Sequence, residues 1–193
     1  MAAGTGLAGV KGGSLSIVKK SDSSPLIITN DLMERQLQNL MTDANRNGTS
    51  FGLIYVDLDR FKQVNDVHGH RTGDLYLQEV TRRMKLNLRS EDVLARIGGD
   101  EFIALVPILY SRKDAEEIMR RLERCFDAPF EMEGVTLRGS ASLGLAVYPD
   151  DGLTKEELQR AADAAMYANK EEKHREQAAA HGARTMSREN QPR

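Results

Sequence analysis

Val93-Leu94-Ala95-Arg96-Ile97-Gly98-Gly99-Asp100-Glu101-Phe102-Ile103-Ala104-Leu105-Val106 reads as two β-strands folded back on each other. The runs 93–97 and 101–106 are short and mostly apolar, and Gly98-Gly99-Asp100 between them is a hairpin turn signal. Upstream, residues 51–58 form another short apolar run, bounded by Gly48 and a charged segment, which predicts a buried central strand. A first helix is expected from Asn30 or Asp31 to about Arg46, with Asn30 as N-cap and Gly48 closing it. Between these lies a helix over 74–89, because Tyr76, Val80, Met84 and Leu88 recur on one face. Downstream, Ser111 and Asp114 resemble a capping box for a helix over 111–126, whose stripe is Ala115, Ile118, Met119, Leu122 and Cys125. A hairpin turns at Glu133-Gly134, a buried strand spans 140–148, and Thr154 with Glu157 caps a last helix. This element order predicts an α+β fold, helices flanking a mainly antiparallel central sheet.

The chain of 193 residues suits one domain with one core. Residues 1–24 are rich in Gly, Ser and Lys and read as a flexible leader or linker, 25–174 as the folded domain, and 175–193 as a polar, disordered tail. No signal peptide and no bilayer-spanning run is expected, so the segment is read as cytoplasmic without membrane insertion. A net charge of −2 argues against broad DNA binding. The one cysteine, Cys125, excludes an intrachain disulfide and a thiolate cluster, and its apolar helical position marks it as packing.

The chemistry concentrates where strands end. Asp57 and Asp59 alternate along one strand and can share a face, and Asp100-Glu101 sits on the hairpin, so up to four carboxylates can converge. Clustered carboxylates repel unless a cation sits among them, and magnesium suits one or two carboxylates plus phosphate oxygens. By spacing alone, solvated turn acids are an equal reading. Lys62 has the charge to neutralise a phosphate, and Asn65 and Asp74 have the donor and acceptor types that read a guanine edge. Plain turn chemistry is the alternative for Asn65-Asp66 and Gly69-His70.

Asp57-Leu58-Asp59-Arg60-Phe61-Lys62-Gln63-Val64-Asn65-Asp66, then Gly69-His70 and Gly73-Asp74, resembles the first signature of diguanylate cyclases. Gly98-Gly99-Asp100-Glu101-Phe102 reproduces the namesake GGDEF motif, and 142–146 and 162–167 resemble the later strand and helix of the family. The ordered matches cover about residues 31–173. The resemblance implies a palm-like nucleotidyl-cyclase fold and condensation of two GTP molecules into cyclic di-GMP by a homodimer.

Position by position it also implies site roles. Magnesium, with manganese possible, is held by Asp57, the Leu58 carbonyl and Asp100. Asp100 is the base, with Glu101 as a further acidic group and Lys62 stabilising phosphate charge. Phe61, Asn65, His70 and Asp74 surround the guanine, Lys170 reaches the phosphates, and Arg89 and Asp92 form an inhibitory product site. An ordinary surface pair is the alternative for the last two.

Two stretches depart from the family pattern. Leu26-Ile27-Ile28-Thr29-Asn30-Asp31 lacks the Gly and Arg of the usual entry turn. Lys170 is followed by Glu171-Glu172-Lys173-His174, so His174 stands where an Arg is usual, with Lys173 or Arg175 as candidate substitutes. The rival readings are a GGDEF module that binds nucleotide without cyclising it, and a dimerisation unit that binds none.

Overall fold

The computed structural model describes residues 30–189, so the leader and most of the altered entry turn lie outside the described residues. The elements run α1 (Asn30–Asn47), β1 (Ser50–Leu58), α2 (Phe61–Asn87), β2 (Val93–Arg96), β3 (Glu101–Leu109), α3 (Arg112–Glu123), a 3-10 turn (Arg124–Phe126), β4 (Phe130–Met132), β5 (Val135–Leu137), β6 (Ala141–Tyr148) and α4 (Lys155–Glu189). The main sheet has the order β2-β3-β1-β6 and every pair in it is antiparallel. The fold is therefore the expected α+β sandwich. Strands β4 and β5 form a separate hairpin that turns through Glu133 and Gly134, both at positive φ.

Alternation along β1 sorts the core into two layers. Ile54, Val56 and Leu58 face α2 and α3, meeting Tyr76, Val80, Met84, Ile118 and Leu122. Phe51 and Leu53 face the other way, toward Met33 and Leu37 of α1 and Leu158 and Ala162 of α4. Cys125 is buried in the first layer, as expected of a packing residue. Local chemistry sets the element ends. The Thr49 amide donates to the Ala44 carbonyl across Gly48, which has φ 63°, and so closes α1. The Ser111–Asp114 capping box opens α3 as expected. Before α4, Glu157 accepts from the amides of Leu153 and Thr154 while its own amide donates to Thr154 Oγ1.

Two boundaries differ from the sequence reading. Residues 61–68, outside the helix expected over 74–89, are helical, and α2 reaches 74 only after a break at Gly69 (φ 83°, ψ 160°). The segment buries only Phe61, so it carries no apolar stripe to betray it. Helix α4 continues to Glu189, past Arg175, through a stretch that includes four alanines and two each of Glu and Arg, all favourable in helices.

Arg83 joins α2 to the α3–β4 connection. It donates to the carbonyls of Cys125, Ala128 and Pro129 at 3.1, 2.7 and 2.6 Å and lies 3.8 Å over the Phe130 ring. Glu79 accepts from Arg82 and Arg83 at 2.7 and 2.9 Å.

Helix α4 is seated on β6 by a missing side chain. A Cβ on Gly144 would stand 2.1 Å from the Ala162 carbonyl oxygen and 2.2 Å from the Met166 amide nitrogen, so the helix backbone touches the strand directly. Gly144→Ala is expected to lower the unfolding free energy by about 1–3 kcal/mol, read as a lower urea midpoint at unchanged slope, because the obstacle is backbone. Arg82 first, then Arg83, holds the Glu79 carboxyl down at about 2 against burial. A depressed acid stabilises the fold above its ordinary value of 4.5 and loses that contribution as pH falls toward about 2. Glu79→Gln is therefore expected to flatten the stability profile across that window, measured by urea titration at each pH.

Candidate functional site

The end of β1 is fastened from both sides. Asp57 stands opposite Glu101 of β3 and Ser142 of β6. Just beyond the ladder, the Leu58 amide donates to the Asp100 carbonyl at 3.0 Å, and the Asp59 amide to the Ser140 carbonyl at 2.9 Å. These bonds fix Leu58 beside the Gly98–Asp100 turn. Arg96 braces the turn from beneath, its guanidinium donating to the carbonyls of Gly98 and Gly99 at 2.7–3.2 Å. The sequence reading gave Arg96 no role. A lone arginine beside a glycine turn carries no signal of which carbonyls it will meet.

The expected meeting of four carboxylates is corrected. Among the described residues no group of three or more His, Cys, Asp or Glu is placed to hold a metal ion. Asp59 lies past the end of β1 and its Oδ1 accepts from Ser142 Oγ at 2.7 Å. Its Oδ2 is buried without a partner among the described residues, and its charge adds to burial in raising the pKa of the Tyr76 hydroxyl. The Glu101 carboxylate curls over the turn, where a Cβ on Gly98 would meet Oε2 at 2.6 Å.

Asp57 and Asp100 remain, and Asp57 meets a cation between strand and helix. Lys170 Nζ lies 2.6 Å from Asp57 Oδ1. The hydrogen bond to Asp57 raises the Lys170 pKa most, with Asp59 and Asp100 adding to it and burial opposing it. The candidate donors at this strand end, the Asp57 and Asp100 carboxylates and the Leu58 carbonyl, are oxygen throughout, and the Lys170 ammonium compensates Asp57. That set fits magnesium, which takes one or two protein carboxylates and fills its shell with water and phosphate oxygens.

The base-reading candidates lie on α2. The break at Gly69 turns the helix so that Asn65 rests against Gly73, next to Asp74. Lys62 lies one turn before Asn65, and Lys62, His70 and Asp74 are exposed. Phe61, expected at the substrate, is instead in the core at 9% exposure, its ring 6.3 Å from that of Tyr76. On α4, Lys173 donates to the Ala141 carbonyl, while His174 and Arg175 are exposed. Asn169, unremarked in the sequence, accepts from the Leu143 amide at 3.2 Å and ties the same helix to β6.

Arg89 and Asp92 form a closed turn rather than a surface ion pair. The Arg89 amide donates to Asp92 Oδ2 at 2.8 Å, and the Asp92 amide donates back to the Arg89 carbonyl at 3.2 Å. The Arg89 residue is exposed, beside a cleft of about 270 Å³ lined by Lys85, Leu88, Ser90, Asp92 and Val93. Asp92 Oδ1 is buried without a partner among the described residues, and burial raises the Asp92 pKa.

Comparison with known proteins supplies the family. The profile of the "Diguanylate cyclase, GGDEF domain" family matches residues 26–176. The bifunctional diguanylate cyclase/cyclic di-GMP phosphodiesterase MucR of Pseudomonas aeruginosa is 40% identical over 141 residues, 73% of this chain and 20% of MucR. The diguanylate cyclase TpbB of the same organism is 34% identical over 181 residues, 93% of this chain and 40% of TpbB. The chain thus spans well under two thirds of either relative. The crystal structure of the TpbB GGDEF domain superposes with a TM-score of 0.73 at 35% identity, covering 78% of this chain and 92% of that one. The fold, the fastened strand end with its glycine turn, and the match across 26–176 together make this chain a member of the GGDEF diguanylate cyclase domain family.

Proposed function

We propose that the chain condenses two GTP molecules into cyclic di-GMP. The observation that carries this reading is the Lys170–Asp57 ion pair at the fastened end of β1, where the Asp100 backbone carbonyl holds Leu58 and the Asp100 charge helps raise the Lys170 pKa. Asp57, the Leu58 carbonyl and Asp100 would hold magnesium, or manganese, which supplies Lewis-acid stabilisation of phosphate charge. Asp100 accepts the proton of the 3′-hydroxyl as its oxygen attacks the α-phosphorus of the second GTP. Pyrophosphate leaves, and the reciprocal attack closes the ring with a second pyrophosphate. Glu101 adds negative charge beside Asp100. Lys62, and Lys170 once drawn off Asp57, compensate the phosphates. Asn65 and Asp74 pair with the guanine, with His70 at the corner of α2 beside them. Each domain holds one nucleotide, so a homodimer is the reactive species. Cyclic di-GMP binds in turn at Arg89 and Asp92, whose unpartnered Oδ1 can accept from guanine N–H groups.

A second reading, a domain that binds GTP or cyclic di-GMP and regulates a longer protein, draws on two observations. Lys173 is engaged by the Ala141 carbonyl, and His174 stands in place of the usual arginine, which leaves Arg175 as the candidate phosphate contact. Incubation with GTP and magnesium, with products resolved by chromatography, separates the readings, since a regulatory module yields no cyclic di-GMP.

Asp100→Ala is expected to cut cyclic di-GMP synthesis by at least about 100-fold. The thermal midpoint should stay within a few degrees, because Asp100 contributes its backbone carbonyl, not its side chain, to the strand end. Near-normal synthesis by that variant would remove Asp100 from the base and metal roles. Arg89→Ala should abolish tight calorimetric binding of cyclic di-GMP and let progress curves run on to higher product, with the initial rate little changed. Equal product binding by the two proteins would return Arg89 to the surface.

A further inference from the structure

We propose that Gly73 is a positioning residue for base recognition: its missing side chain is the seat of the Asn65 amide, and through Asn65 it sets the preference for guanine over adenine. This inference rests on the reading of Asn65 as a guanine contact.

Gly73 lies in the second half of α2 and is buried. Its backbone does not require glycine, since the positive-φ glycines among the described residues are Gly48, Gly69 and Gly134. Helix propensity argues against it too, because alanine in a helix interior is more favourable than glycine by about 0.8–1 kcal/mol. What excludes a side chain is space. A Cβ at Gly73 would stand 1.9 Å from Asn65 Oδ1, 3.0 Å from Cγ and 3.5 Å from Nδ2, and these three are its nearest neighbours. All three belong to one side chain, the amide assigned to the base.

The identity of the obstacle decides what a substitution does. At Gly144 the atoms in the way are helix backbone, so a methyl group there strains the fold. At Gly73 they are the tip of a rotatable side chain, so a methyl group displaces the tip and leaves the fold in place. To regain ordinary contact at 3.4 Å, Oδ1 must retreat by about 1.5 Å, since 3.4 − 1.9 = 1.5. A hydrogen bond aimed at a base edge does not survive such a shift, because donor–acceptor distances span only about 2.7–3.2 Å. Guanine and adenine differ at the edges an amide can read, so loss of the aim weakens GTP binding and leaves ATP binding almost unaltered. The break at Gly69 makes the arrangement possible by bringing the first half of α2 back against the second, so residues eight apart in sequence share one seat.

The test uses 3′-deoxy-GTP and 3′-deoxy-ATP, which lack the attacking hydroxyl and cannot condense, titrated calorimetrically with magnesium. The proteins are the unmodified chain, Gly73→Ala, Asn65→Ala and the double variant. Gly73→Ala is expected to weaken 3′-deoxy-GTP binding about tenfold, change 3′-deoxy-ATP binding less than about twofold, and keep or raise the thermal midpoint. The double variant should match Asn65→Ala, because the two changes remove one interaction. Selectivity lost in Asn65→Ala but kept in Gly73→Ala overturns the proposal. So does a double variant whose losses add, or a Gly73→Ala protein that loses both nucleotides together with its thermal midpoint. If Asn65→Ala itself keeps full selectivity, the guanine role of Asn65 falls and the proposal falls with it, which separates failure of the base reading from failure of the seat.

Discussion

Asp57 lies at the penultimate position of a strand that is paired on both edges and packed on both faces, and the residue is only 8% exposed. A charge in that position is costly unless compensated, and the compensating group comes from outside the sheet, from Lys170 on α4. Much of the architecture follows from that requirement. Helix α4 must run close enough to β6 and β1 for a lysine to reach the strand end. It does so because Gly144 lets its backbone lie directly on the strand, and because Asn169 and Lys173 tie it to the Leu143 amide and the Ala141 carbonyl. Its other end is anchored to α1 by Glu34, which accepts from Lys155 and Gln159 at 2.8 and 2.9 Å. In the proposed reaction a nucleotide and a hard cation arriving together would satisfy Asp57 and take up the lysine at once.

The sheet was legible in the sequence because its strands are unambiguous. The 51–58 and 140–148 runs are too short and too apolar for amphipathic helices, and Gly98-Gly99-Asp100 can hardly be anything but a turn. Helix α3 was legible through its capping box and its stripe. The first half of α2 was not, because its outward residues are polar and just one ring, Phe61, marks the buried side. The same ring was assigned to the substrate from its neighbours in the motif, and packing claimed it instead. Polarity misled again beyond Arg175, where alanines interspersed with Glu and Arg, good helix formers, were taken for a tail.

Within the site, the sequence located the carboxylates but not their orientations. The rule that alternate strand residues share a face holds only while the strand lasts, and β1 stops at Leu58. Asp59 therefore answers to Ser142 and to the α2 side of the strand end, and Glu101 folds over a glycine that leaves room for it. Glycines were readable as turn and motif residues, but not as seats. Gly144, Gly73 and Gly139 each leave a gap filled by a specific neighbour: helix backbone, the Asn65 amide and the Tyr76 hydroxyl. Which neighbour arrives is a tertiary fact, and it separates a glycine that serves the fold from one that serves a side chain.

The relation between the two proposed nucleotide sites follows from β2. Asp92 precedes the strand and the Gly98–Asp100 turn follows it, and the strand itself has four residues, Val93–Arg96. At about 3.3 Å per residue, the turn that holds Asp92 and the turn that holds Asp100 are roughly 15–20 Å apart. They are joined by a strand locked in register with β3, Val93 opposite Leu105 through Arg96 opposite Phe102. The two turns thus lie at opposite ends of β2, and a ligand at Arg89 would sit apart from the proposed metal ligands of the same domain. A close-packed strand in fixed register also has no second arrangement through which to pass a signal along its length. Inhibition from that site, as proposed, would have to act on something that does have two arrangements. In the proposed reaction, which would need two domains face to face, that element would be the placement of one domain against its partner.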